Sequence, residues 1–128
     1  MNLLFDTHTF IWWADEPEKL SAPALKALAD ENNRLLLSVV SVWEMQIKAQ
    51  LGKVKLSLPL SDLIESQQQV NELEILPVSI EHVLALDSLP LHHKDPFDRL
   101  LLAQSIVESA TIVSMDQKLS AYSVNLLW

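Results

Sequence analysis

The chain contains no cysteine and only one glycine, Gly52, among its 128 residues. Without cysteine there is no disulfide, no thiol nucleophile and no thiolate metal site. A phosphate-binding P-loop, a GxGxxG dinucleotide turn and a GxSxG nucleophile elbow each need more than one glycine, so these sites are excluded. The four histidines form no HExxH pair, which also excludes a zinc-protease helix of that type.

Long apolar runs and basic charge are also scarce. No uninterrupted apolar stretch approaches the ~20 residues that span a bilayer. Residues 1–6 have no basic start and carry an acid within their apolar run, unlike a signal peptide. We therefore expect a cytoplasmic protein without a membrane partner. The net charge of −8, from 17 acidic and 9 basic residues, argues against strong non-specific binding to nucleic acid.

The chain does contain a regular alternation of short apolar runs and longer helical patterns. Runs typical of strands cover residues 2–5, 34–38, 74–78, 111–115 and 124–127. Helices are predicted between them, over residues 8–14, 21–32, 41–51, 60–72, 79–88 and 96–109. This alternation predicts one α/β domain over residues 1–128, with a central, mostly parallel sheet of four or five strands and helices on both faces.

Acidic residues follow the predicted strands. Asp6 ends the first strand and Asp116 follows the fourth. Glu44 lies one turn into the helix after the second strand, and Asp98 lies in the first turn of the long helix near residue 96. Because ligands of open α/β sheets bind outside the carboxyl ends of the strands, these acids are candidates for one common site.

Most of these acids also have a local explanation. The segment SVWE (residues 41–44) has the pattern of a capping box. The segment DPFD (residues 95–98) has that of a helix cap, an N-terminal proline and an acid in the first turn. Asp116 is placed to cap the turn that follows it. Asp6, at the end of a buried strand, has no comparable explanation.

Electrostatics decides between these interpretations if the acids converge. Two carboxylates about 5 Å apart repel by roughly 3 kcal/mol at an effective dielectric constant of about 20, and four in one cleft by on the order of 10 kcal/mol. That repulsion is comparable with the stability of a whole domain, so such a cluster takes up protons or binds a cation. Oxygen ligands without Cys or His favour Mg²⁺ or Mn²⁺ over Zn²⁺, and a metal held in this way suits phosphoester hydrolysis.

Four segments together resemble the PIN domain, in particular the VapC-type toxins of bacterial toxin–antitoxin pairs. They are LFDTH (4–8), SVWEM (41–45), HHKDPFDRLL (92–101) and SMD (114–116), and the third is the most specific. The resemblance covers essentially the whole chain. It implies a PIN-like α/β fold and a metal-dependent endoribonuclease, the toxin of a type II system. It further implies Mg²⁺ or Mn²⁺ as cofactor and RNA, a cognate antitoxin and a second copy of the chain as partners.

The resemblance also implies roles for particular residues. Asp6, Asp98 and Asp116 are expected to bind metal directly, and Glu44 to hold a second metal ion or orient the attacking water. Asp95 is expected to be a helix cap beside the site.

The hydroxyls of Thr7 and Ser114 adjoin two of these acids in the sequence. Each is placed either to hydrogen-bond a ligand carboxylate or to bond its own backbone in a turn. Lys48, four residues after Glu44, is placed to pair with it on one helix face. The neighbouring His92 and His93 are placed to approach a substrate phosphate, but a histidine pair in a loop is more often solvated, and we expect them to be solvated.

Two other functional classes stay open on the sequence. Phosphoryl-transfer domains of the receiver or aspartyl-phosphatase kind also use an aspartate at a strand end. Such a phosphatase needs Asp-x-Asp after the first strand, however, and this chain has His8 in the second position. If the acids served only as helix caps, the chain would instead be a catalytically silent α/β interaction module.

Overall fold

The computed structural model describes all 128 residues and is built around one five-stranded sheet. The strands are β1 (Asn2–Phe5), β2 (Arg34–Ser38), β3 (Glu74–Leu76), β4 (Thr111–Val113) and β5 (Leu126–Leu127). The helices are α1 (Thr7–Asp15), α2 (Ala22–Ala29), α3 (Val39–Gln50), α4 (Leu60–Asn71), α5 (Ile80–Ala85) and α6 (Pro96–Val107). Short 3₁₀ turns cover Pro17–Lys19, Leu86–Ser88 and Gln117–Ala121.

The sheet has the strand order β3-β2-β1-β4-β5, and every neighbouring pair is parallel. The chain runs outward from β1 to β2 and β3, then returns to place β4 on the other side of β1. The point where the order reverses therefore lies between β1 and β4, which is where open α/β sheets bind their ligands. The predicted α/β fold with a parallel sheet is confirmed.

Helices cover both faces of the sheet, as predicted. Alternate residues of β1 point to opposite faces, so Leu3 and Phe5 join a core with α1 to α4, while Leu4 joins a second core with α6. Because both faces are buried, the strands are apolar along their length rather than alternating between apolar and polar residues. None of the helices combines the length and the apolar character that crossing a membrane requires.

Helix α3 begins two residues earlier than the sequence predicts. The Ser38 hydroxyl accepts a hydrogen bond from the Val40 N–H at 3.0 Å and caps the helix. Ser41 and Glu44 consequently both lie inside the helix, and the predicted capping box between them is wrong. Their side chains are free for contacts with other elements, because the backbone donors of this first turn have a different partner.

Helix α6 begins as predicted. The Asp95 carboxylate accepts hydrogen bonds from the N–H groups of Phe97 (2.9 Å) and Asp98 (3.3 Å), so Asp95 is the helix cap. Such a cap typically contributes about 1 kcal/mol. It also fixes the backbone of Asp98, whose side chain faces the strand ends.

A buried polar side chain, Gln104, connects α6 to α3. Its carbonyl oxygen accepts from the Ser38 hydroxyl at 2.5 Å. Its amide lies 3.3 Å from both the Pro77 carbonyl and His82 Nδ1. Because Ser38 caps α3, this bridge fixes the helix carrying Glu44 relative to the helix carrying Asp98.

The substitution Leu102→Ala tests the packing of α6 on the sheet. Leu102 is completely buried, so the substitution leaves a cavity and is expected to lower the unfolding free energy by about 3 kcal/mol. Urea unfolding followed by circular dichroism measures the change. Leu91→Ala is the control, because Leu91 is 84% exposed and its truncation is expected to cost less than about 0.5 kcal/mol. Equal losses in the two variants would contradict this packing.

Candidate metal centre

A cleft of about 590 Å³ lies at the carboxyl edge of β1 and β4. It is lined by Asp6, which follows β1, and Asp116, which follows β4. Glu44 reaches it from α3 and Asp98 from the first turn of α6. The structure therefore brings all four predicted acids into one cleft.

A larger concavity of about 920 Å³ lies at the opposite edge, around the starts of β2 and β3. Its one arginine, Arg34, is already paired with Glu74 at 2.8 Å. No cluster of potential metal ligands is found there. Size alone therefore does not identify the functional site, and the chemistry favours the smaller cleft.

The tightest group of potential ligands consists of His93, Asp98 and Asp116, whose ligand atoms all lie within 4.8 Å of one another. His93 Nε2 lies 2.6 Å from Asp98 Oδ2, and the His93 side chain is only 19% exposed. The expectation that His93 is solvated is therefore wrong, whereas His92 is exposed as expected. The only sequence signal was the position of His93 five residues before Asp98, in a segment without periodicity.

Burial changes the protonation of Asp98. The pKa of this carboxyl is raised from 3.8 to about 6, mainly because the group loses solvent and also because of the charges of Asp95 and Asp6, while the hydrogen bond from His93 opposes the rise. An acid in this condition gains from a nearby cation, because the cation stabilises the ionised form.

The pKa of Asp6 is also raised. Burial raises its pKa, and the charges of Glu44 and Asp116 add to the rise. A hydrogen bond from the Ser114 hydroxyl to Asp6 Oδ2, 2.7 Å long, opposes it. Ser114 is free to donate because β4 ends at Val113, two residues before the predicted end. The same hydroxyl accepts from the Asp116 N–H at 3.0 Å and so connects the two acids.

Glu44 differs from the aspartates because both of its oxygens are engaged. Oε1 accepts from the buried Thr7 hydroxyl at 2.8 Å, and Oε2 lies 2.6 Å from Lys48 Nζ. The predicted pairing of Glu44 with Lys48 is confirmed. Each of the hydroxyls of Thr7 and Ser114 thus bonds a carboxylate rather than only its own turn.

Each of the three aspartates keeps one carboxylate oxygen without a hydrogen-bond partner. Asp6 uses only Oδ2, Asp98 only Oδ2, and Asp116 only Oδ1, which accepts from the Lys118 N–H. No fully buried side-chain oxygen lacks a partner, so the three remaining oxygens are accessible from the cleft. Crowded carboxylates with accessible oxygens fit a hard divalent cation such as Mg²⁺ or Mn²⁺.

Comparison with known proteins identifies the family. The model of the PIN domain matches residues 3–125. The chain belongs to the PIN domain family. The resemblance inferred from the four sequence segments is confirmed.

Individual relatives of this PIN domain agree in fold and length. Ribonuclease VapC22 of Mycobacterium tuberculosis is 30% identical over 123 residues, which cover 94% of this chain and 92% of that protein. A crystal structure of VapBC2 from Rickettsia felis, bound to a DNA fragment from their promoter, matches with a TM-score of 0.76 at 19% identity, over 99% of this chain and 98% of that one. VapBC-1 from nontypeable Haemophilus influenzae matches with a TM-score of 0.63 at 17% identity, over 99% and 97%. The two structural matches show the PIN fold.

The raised pKa of Asp98 predicts a pH-dependent stability of the metal-free PIN domain. Asp98 binds its proton more tightly when the chain is folded, so its contribution to stability is fully present below about pH 4 and is lost as the pH rises through about 6. Asp98→Asn removes the buried charge and is expected to raise the unfolding free energy by about 2 kcal/mol at neutral pH, with little effect near pH 4.

Urea unfolding in EDTA at the two pH values measures this difference. Asp62→Asn, at an exposed acid in the first turn of α4, is the control and is expected to change stability by less than about 0.5 kcal/mol at either pH. A neutral-pH loss of stability in Asp98→Asn would contradict the prediction.

Proposed function

We propose that this PIN-domain protein is a metal-dependent endoribonuclease, the toxin of a type II toxin–antitoxin pair. The observation that carries the proposal is the convergence of Asp6, Glu44, Asp98 and Asp116 in one cleft. The relative at 30% identity supports it, because that protein is named as a ribonuclease. We also infer that residues 1–128 act as one domain, since β1 pairs with both β2 and β4.

The three aspartates are proposed to hold a divalent cation, Mg²⁺ or Mn²⁺. Asp6, Asp98 and Asp116 each offer an oxygen that no hydrogen bond uses. Ser114 orients Asp6 and His93 orients Asp98, as partners of ligand carboxylates commonly do. When bound, the cation would polarise a phosphodiester and make water more nucleophilic at neutral pH.

Glu44 is proposed to hold a second cation or to orient the attacking water. Thr7 and Lys48 fix both oxygens of its carboxylate, so its direction is set before a substrate arrives. Water would attack the phosphorus of an RNA phosphodiester, and the bond from phosphorus to the leaving oxygen would break. The ammonium of Lys48 lies beside the site and can compensate negative charge on the phosphate.

The partners are proposed from the remaining surface. Helix α5 packs on α6 and leaves Ile80, Val83 and Leu84 exposed. Apolar side chains grouped in this way commonly mark an interface, and we propose that a second copy of the chain covers them. A cognate antitoxin is proposed to cover the acidic cleft and keep the ribonuclease inactive.

The substitution Asp6→Asn tests the metal site. It is expected to reduce Mn²⁺-dependent cleavage of RNA at least about 100-fold and to abolish the rise in melting temperature on adding Mn²⁺, because a ligand oxygen is lost. Asp95→Asn is the matched control: asparagine caps helices as well as aspartate, so α6 and cleavage are expected to persist. Circular dichroism verifies the fold of both variants.

The same pair of variants separates the alternatives. Unchanged cleavage by folded Asp6→Asn would exclude the metal-dependent ribonuclease. If the wild type neither cleaves RNA nor responds to Mn²⁺, the chain is a catalytically silent interaction module. Phosphorylation of Asp6 by a small phosphodonor, detected by mass spectrometry, would instead identify a phosphoryl-transfer domain.

The substitution Leu84→Glu tests the proposed interface. The wild type is expected to be a dimer by light scattering coupled to size exclusion, and Leu84→Glu a monomer, because the interface would bury an unpaired charge. Leu91→Glu is the control, since Leu91 is at least as exposed as Leu84 but lies outside α5. A wild-type monomer at high concentration would contradict the proposed dimer.

A further inference from the structure

Three aromatic rings form a row that ends at the acidic cleft. The Trp128 ring centroid lies 6.2 Å from that of Trp12 on α1. The Trp12 centroid lies 6.2 Å from that of His8, with the planes tilted by 37°. His8 and Trp12 are four residues apart and so share one face of α1, and both line the cleft. The row thus runs from half-buried indoles to an exposed imidazole beside Asp6.

Two further contacts fix the orientation of the Trp12 ring. Besides Trp128, the ammonium of Lys19 lies over its ring at 5.8 Å from the centroid. Lys19 is itself paired with Glu16 at 2.7 Å. The indole therefore has contacts that fix its orientation, and it supports the ring of His8 at the cleft.

The ring nitrogens of His8 form no hydrogen bond within the chain. The rings of His82 and His93 are hydrogen-bonded to Glu108 and Asp98. The His8 ring is exposed, makes no side-chain hydrogen bond, and its ring contact is with Trp12. An exposed ring supported by a second aromatic ring provides a flat surface on which another planar group can stack.

The same cleft also carries positive charge. Lys118 lines the cleft from the 3₁₀ turn after β4 and is exposed, and its ammonium forms no ion pair. The ammonium of Lys48, by contrast, is already paired with Glu44. The cleft therefore combines acidic side chains, the two rings and a free ammonium, within a chain whose net charge is −8.

We propose that His8, supported by Trp12, is a stacking site for one unpaired base of a single-stranded RNA whose backbone passes Lys118. This inference rests on the proposed ribonuclease function and names the residues that would hold its substrate. Aromatic rings and lysines are the groups by which proteins hold single-stranded nucleic acid. A base inside a duplex is stacked on its neighbours and cannot reach the ring, so the substrate is a single strand or a loop.

Direct binding tests the proposal without depending on turnover. Fluorescence anisotropy of a short, unstructured, 5′-labelled RNA is measured with Mn²⁺ in a Glu44→Gln background, which keeps the three aspartates. Adding His8→Ala is expected to weaken binding roughly tenfold, whereas His8→Phe keeps it within about twofold because the ring remains. His92→Ala is the matched control: His92 is also an exposed histidine but does not line the cleft, and binding is expected to be unchanged.

Removal of single bases from the RNA completes the test. One abasic position is expected to weaken binding by about the same factor as His8→Ala, and the two changes together are expected to cost no more than either alone. Equal binding by His8→Ala and its parent would overturn the stacking site. So would equal weakening by His8→Phe and His8→Ala, since a proton or charge would then be needed rather than a ring.

Parallel cleavage assays separate this inference from the proposed function. If the wild type cleaves RNA but His8→Ala does not weaken RNA binding, only the stacking site is overturned. RNA binding that depends on His8, without Mn²⁺-dependent cleavage by the wild type, overturns only the ribonuclease.

Discussion

The parallel pairing of β1 with β2 and β4 is the constraint on which the site depends. It brings the carboxyl ends of three strands to one edge, so the side chains that follow them meet whatever their separation in sequence. Asp6 and Asp116, 110 positions apart by their numbers, come close enough for the charge of one to raise the pKa of the other. The repulsion is tolerated because each acid has a specific donor. Ser114, His93 and Lys48 each compensate a different carboxylate.

These donors divide the four acids into two kinds. The aspartates each accept from one side-chain or backbone donor and keep an oxygen free, whereas both oxygens of Glu44 have a donor, Thr7 on one and Lys48 on the other. Turning the Glu44 carboxylate away from these donors costs free energy, because water does not replace the hydrogen bonds that a buried group loses. The division supports different roles within one cleft, with Glu44 acting as an oriented group beside the three aspartates.

The sequence predicted the strands, their parallel arrangement and the convergence of the acids, because these follow from apolar patterning and from the shared edge of a parallel sheet. The pairing of Glu44 with Lys48 was also predictable, since positions i and i+4 adjoin in any helix. The capping box at Ser41 was wrong because Ser38, three residues earlier, caps the helix. The local sequence pattern does not distinguish Ser38 from Ser41 as the cap, because the start of the helix is set by where β2 ends.

The position of His93 was not predictable for a different reason. It lies in an aperiodic segment whose path is set by distant contacts, including a 2.8 Å hydrogen bond from its N–H to the Tyr122 hydroxyl. No short-range signal encodes a partner 29 residues away. The contact of Trp12 with Trp128 was unpredictable for the same reason, because the two rings come from opposite ends of the chain.

The bridge from Ser38 through Gln104 to His82 has a consequence for how the cleft adapts. Its members are buried and hydrogen-bond to one another. Sliding α3 against α6 would therefore leave several buried polar atoms without hydrogen-bond partners at once. The separation of Glu44 from Asp98 is thereby held by contacts that lie outside the cleft. Substituting a member of this bridge would therefore disturb the site, although none of its members lines the cleft.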